Sequence, residues 1–105
     1  MADDDADTVR DVADFLGEAK RIHGDALVVN QMEEWDALVA KLRRAAELID
    51  PSHPGDADRR KGRELVNEAA SELRIDFGQI GPWGNEELRL AALDASRRLD
   101  GLIGT

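Results

Sequence analysis

The stretch Gln31-Met32-Glu33-Glu34-Trp35-Asp36-Ala37-Leu38-Val39-Ala40-Lys41-Leu42-Arg43-Arg44-Ala45-Ala46-Glu47-Leu48-Ile49 decides the fold of this 105-residue chain. Met32, Trp35, Leu38, Val39, Leu42, Ala45, Ala46 and Ile49 recur at intervals of three and four, which sets them along one side of an α-helix. The positions between them are mostly charged, so the helix has one greasy side to bury and one to hydrate. Arg43 and Glu47, one turn apart on the wet side, form an expected surface pair. Asn30 followed three residues later by Glu33 reads as a capping box that begins the regular helix at Gln31. Ala26-Leu27-Val28-Val29 is β-branched enough for a short strand, but nothing else in the chain could pair with it. It is read as the lead-in or first turn of this helix.

Upstream, Val9, Val12, Phe15 or Leu16, Ala19 and Ile22 repeat the same spacing, with Thr8 as the candidate N-cap. His23-Gly24 supplies the stop, since glycine at a helix end adopts left-handed geometry cheaply. Before Thr8, residues 1–7 carry four aspartates and little to bury, and are expected to form a flexible acidic tail.

Downstream, Asp50-Pro51-Ser52-His53-Pro54-Gly55-Asp56 is a loop, because two prolines and a glycine cannot continue a helix. Asp56 or Asp58 is the expected cap of a third helix carrying Leu65, Val66, Ala69, Ala70 and Leu73. Ile75 to Gly84 holds three glycines and a proline, so it is expected to be non-helical despite four large apolar residues. Asn85 then caps a fourth helix, with Glu86 and Glu87 where the helix dipole favours negative charge. Leu88, Ala91, Ala92, Ala95, Leu99 and Leu102 form its stripe. The fold expected is an all-α, antiparallel four-helix bundle, with helices at roughly 8–23, 26–49, 57–74 and 86–102. Residues 8–105 form one domain, since this length supports a single core.

Hydrophobic residues make up 42% of the chain, enough for a core and against wholesale disorder. The formal net charge of −9 repels phosphate backbones and anionic membranes and favours a partner protein with a basic surface. Direct nucleic-acid binding is therefore not expected. There is no cysteine, hence no disulfide and no thiolate metal site. No apolar run is long enough to span a bilayer, and the acidic N-terminus does not read as a secretory signal, so a cytoplasmic protein is expected. Arginine outnumbers lysine and alanine abounds, as in GC-rich bacterial or bacteriophage genomes.

Chemistry finds little to work with. His23 at a helix end suits the dipole there. His53 lies near Asp50, Asp56 and Asp58, but Lys61 stands where a calcium loop needs its turn glycine. Ser52, flanked by proline on one side and His53-Pro54 on the other, lacks the preceding aspartate of the acyl carrier proteins, which share only this size and charge. The basic run Arg59-Arg60-Lys61 with Arg63 reads as a solvated helix face. No cofactor, metal or catalytic residue is assigned, and no enzyme is expected.

The expectation is a small acidic interaction protein: a bacterial or phage regulator, an inhibitor, or an accessory subunit of an assembly. Its partner-binding residues are taken to be Phe77, Ile80 and Trp83, with Glu86 and Glu87 beside them, because aromatics on a Gly/Pro loop make good interface anchors. Burial in the core is the competing reading for Phe77, Ile80, Trp83 and Trp35. Three other functions stay open: a nucleic-acid mimic using acids such as Glu33, Glu34 and Asp36, a self-assembling homo-oligomer, and, last, an enzyme.

Overall fold

Four helices follow one another along the chain: α1 (Asp5–His23), α2 (Val29–Ile49), α3 (Asp56–Glu72) and α4 (Glu86–Ile103). The computed structural model describes residues 5–27, 29–50, 52, 55–77 and 86–103, and no strand occurs among them. Each helix packs on the next, and α4 returns to α1, which makes an antiparallel four-helix bundle. Cross-helix ion pairs record the direction of α1 against α2. Arg10 meets Asp50 at 2.6 Å, Asp14 meets Arg43 at 2.9 Å, and Lys20 meets Asp36 at 2.8 Å. On the next face, Lys41 of α2 reaches Glu72 at 2.5 Å and Glu68 at 3.7 Å on α3.

The core is built from the expected stripes: Val9, Val12 and Leu16 of α1, Trp35, Leu38 and Leu42 of α2, Val66 and Leu73, then Leu88 and Leu99 of α4. Trp35 is 1% exposed, and its indole N–H donates to the Leu16 carbonyl at 2.9 Å. That bond lets a large polar-tipped ring be buried without stranding its donor. Ser96, also buried, donates its hydroxyl to the Ala70 carbonyl at 3.1 Å and so ties α4 to α3.

Several expected boundaries move, each for a packing reason. α1 begins at Asp5, so Asp5, Ala6 and Asp7 belong to the helix and not to the tail; residues 1–4 lie outside the described residues. Ala6 stands three residues before Val9 and is 1% exposed, which extends the buried stripe, while Asp5 and Asp7 complement the helix dipole. Thr8 is accordingly inside α1 and is not its cap. Gly24–Ala26 form a 3₁₀ turn after α1, and α2 starts at Val29, which puts Asn30 within its first turn and not at the cap. Ile22 is 52% exposed, against the expectation that it is core. Stepping by threes from Leu16 through Ala19 turns the stripe back by about 60° each time, and Ile22 has left the buried face. Leu27 joins the core beyond Ala19 in its place.

Arg43 pairs with Asp14 across the helices, and it is Arg44 that pairs with Glu47. α3 is preceded by Gly55 at φ +110°, with no side-chain cap, so Asp56 and Asp58 serve its first turn as dipole charges. A π-helical turn, Leu73–Phe77, prolongs α3 past the expected end. Ile75-Asp76-Phe77 are thus helical, not loop, and the gain is the burial of both Leu73 and Phe77. Burying a phenylalanine stabilises by about 1.5–3 kcal/mol, more than one imperfect helical hydrogen bond costs.

At the other end of the bundle, Asp50 closes α2. It accepts hydrogen bonds from the Ser52 hydroxyl at 2.7 Å, from Arg10 at 2.6 Å and from the Ser52 backbone N–H at 2.9 Å. These partners, the Ser52 hydroxyl foremost, hold its carboxyl far below the ordinary 3.8. A depressed carboxylate contributes stability that is complete above the unfolded value and is lost as pH falls through the folded one. Asp50→Asn should therefore lower the melting temperature at pH 7, and the gap from wild type should narrow as pH drops below 3.8. Thermal melts from pH 7 to pH 2 with a constant gap would remove the ionic role.

Candidate functional site

Because the bundle is antiparallel, the end of α1, the start of α2, the end of α3 and the start of α4 share one end of the molecule. The large hydrophobic side chains exposed among the described residues all fall there: Ile22 at 52%, Val29 at 67%, Ile75 at 53% and Leu90 at 51%. They come from four different segments and form an apolar collar around that end. Single exposed aliphatics are ordinary on a protein surface. Their restriction to one end of a four-helix bundle is the informative feature.

Helical phase explains why they are exposed. At about 100° per residue, Leu90 lies some 200° round α4 from Leu88, opposite the buried stripe. Val29 likewise faces away from the side of α2 that carries Leu38, Leu42 and Ala45, and Ile75 is turned outward within the π-helical segment.

The charges around the collar are lopsided. Lys20 is held by Asp36, Arg21 by Glu18, Arg89 by Glu86, and Arg74 lies 3.9 Å from Asp100. Asp25, Glu33, Glu34, Asp76 and Glu87, all exposed, have no ion-pair partner among the described residues. The Arg89 hydrogen bonds hold the Glu86 carboxyl below its usual value, and those of Arg21 do the same for Glu18. The arginines are thus committed, while five carboxylates remain to meet a partner. Toward the opposite end, Arg60, Lys61 and Arg63 are exposed on α3 with no carboxylate partner among the described residues.

No family model, no curated protein and no solved structure matches this chain. The site stands on its own geometry.

Of the residues singled out from sequence, Phe77 is corrected. It is 4% exposed and meets Trp35 edge-on, with ring centroids 5.5 Å apart and planes at 78°, so it is a core residue and not an interface anchor. Ile80 and Trp83, like the candidate cap Asn85 and the loop residue His53, lie outside the described residues. Glu86 and Glu87 are exposed in the first turn of α4, beside the collar. The sequence reading missed Val29 and Leu90 and misplaced Ile22. An apolar residue that falls off its helix's stripe was the available signal for all three.

An open depression on α3 is lined by Asn67, Glu68, Ser71 and Glu72. Lys41 occupies its two carboxylates, and its openness is unlike the enclosure of small-molecule sites. Among the described residues no three His, Asp or Glu side chains are grouped to hold a metal ion, and no helix is long and apolar enough to cross a membrane.

Proposed function

We propose that this chain is a non-enzymatic interaction protein, a small regulator, inhibitor or accessory subunit that docks onto another protein through the collared end of its bundle. The observation that carries this reading is the confinement of Ile22, Val29, Ile75 and Leu90 to that end, while the other large hydrophobic side chains among the described residues are buried or partly buried. Each half-exposed aliphatic has roughly half its burial energy still to gain. At about 25 cal/mol per Å² of apolar area, four such side chains contribute a few kcal/mol when a partner covers them. That suffices for recognition when reinforced by charge, and it leaves the free protein soluble.

The test uses substitutions that spare the fold. Ile22→Asp and Ile75→Asp replace half-exposed side chains, so each should cost about 1–1.5 kcal/mol, which a domain stable by about 5–15 kcal/mol tolerates. Wild type and the double variant are used side by side as bait in extracts of the cells that make the protein. A partner retained by wild type and lost by a variant that still melts cooperatively as a folded helical protein is the expected result. Equal retention of the same proteins by both sinks the docking surface.

A further inference from the structure

We infer that this end receives a cationic amphipathic helix of a partner protein, which presents lysines or arginines beside an aliphatic face. The inference rests on the docking role given to the collar and adds what covers it.

The argument is one of charge left over. At the collared end the arginines and Lys20 are tied to carboxylates, while Asp25, Glu33, Glu34, Asp76 and Glu87 have no ion-pair partner among the described residues. Covering the collar brings these five within a Debye length, about 8–10 Å, of whatever covers it. An acidic or phosphate-rich occupant would meet like charge at short range. A second copy of this chain, docked end to end, would set five carboxylates against five. A basic occupant pairs them, and attraction also speeds the encounter. Arg60, Lys61 and Arg63, which have no carboxylate partner among the described residues, are remote from the collar and do not offset this surplus.

The dimensions limit the occupant further. The molecule measures 41 × 23 × 18 Å, so its end is about two helix diameters wide, which seats one helix 10–12 Å across. Amphipathic helices with basic outer faces meet both the size and the charge requirement.

Three synthetic helical peptides make the test, sharing one leucine face and carrying Lys, Gln or Glu on the other. Affinities are read by fluorescence anisotropy against the full chain at low and high salt. The lysine peptide should bind at least about tenfold tighter than the glutamine peptide, and the advantage should largely vanish in high salt. Glu33→Gln with Glu34→Gln should weaken the lysine peptide several-fold and leave the glutamine peptide unchanged. Asp11→Asn with Glu64→Gln, which alter net charge equally elsewhere, should have little effect. Equal affinity for the lysine and glutamine peptides overturns the cationic partner while leaving a purely apolar docking end. Equal weakening by the two charge pairs also overturns it, since attraction would then be general. Lysine-peptide binding that survives Ile22→Asp with Ile75→Asp overturns the docking end itself. A dimer found by sedimentation and abolished by that same double variant would show a second copy as the occupant, against the inference.

Discussion

Trp35→Ala is expected to lower stability by about 3–5 kcal/mol, the range for removing a large aromatic from a packed core. Trp35 is the largest fully buried side chain among the described residues and is 1% exposed. It does three things at once. Its bulk fills the space between α1 and the end of α3, its ring meets Phe77 edge-on, and its N–H bonds the Leu16 carbonyl. A domain of this size has a total stability of about 5–15 kcal/mol, so the loss leaves it marginal or unfolded at 37 °C. With each kcal/mol worth roughly 4–8 °C, the melting temperature should fall by at least about 12 °C. Trp35→Phe separates the contributions, because it keeps most of the apolar bulk and gives up the hydrogen bond, a net of about 0.5–1.5 kcal/mol before any cavity cost. Thermal melts followed by circular dichroism decide the matter. A fall of under about 5 °C for Trp35→Ala would mean that the Trp35–Phe77 contact does not organise this end of the core.

The core was legible in the sequence because burial writes itself as period. Trp35, Leu38, Leu42, Ala45 and Ile49 announced α2, and the same arithmetic located α1, α3 and α4 to within a few residues. Two kinds of information were not periodic. Helix ends depend on local geometry: the π-helical turn that buries Phe77 looks from sequence like the start of a glycine-rich loop, because nothing in Leu73-Arg74-Ile75-Asp76-Phe77 excludes either state. The collar was hidden by a different cause. Ile22 continues a run of threes that resembles a stripe, and only the lag of about 60° that accumulates at each step of three carries it off the buried face. Val29 looked like a helix lead-in, and Leu90 sits one residue from the buried Ala91. Which carboxylates are spent on ion pairs is a matter of tertiary register. The sequence offered Arg43–Glu47, and the folded chain chose Arg43–Asp14.

Tertiary register also sets the second large effect, at Gly62. This residue lies in the middle of α3, where glycine is about 0.8–1.0 kcal/mol worse than alanine on intrinsic helical preference. By that measure alone Gly62→Ala should stabilise. The packing says the reverse. A Cβ at Gly62 would stand 2.6 Å from Ile49 Cγ2, 2.9 Å from Leu48 Cβ and 3.1 Å from the Ala45 carbonyl oxygen. None of these is the free end of a flexible side chain, so relief requires α3 to move off α2. That movement would also disturb the Lys41 bridge to Glu68 and Glu72 and the buried contacts of Val66. Overpacking of this kind costs about 1–3 kcal/mol, and the close approach places Gly62 at the upper end. The clash therefore outweighs the propensity gain: Gly62→Ala is expected to destabilise by about 1–2 kcal/mol, and Gly62→Val, which adds two further methyl groups, by more than about 3 kcal/mol. Gly17 of α1 and Gly101 of α4 give the internal control, since a Cβ at either meets nothing within 4 Å. There the propensity term acts alone, and alanine should stabilise by about 0.5–1 kcal/mol at Gly17 and by less at Gly101, near the end of its helix. Chemical denaturation of the three alanine variants should thus give one midpoint below wild type and two above it. If all three shift upward, α2 and α3 do not approach as closely at Gly62 as the bundle requires.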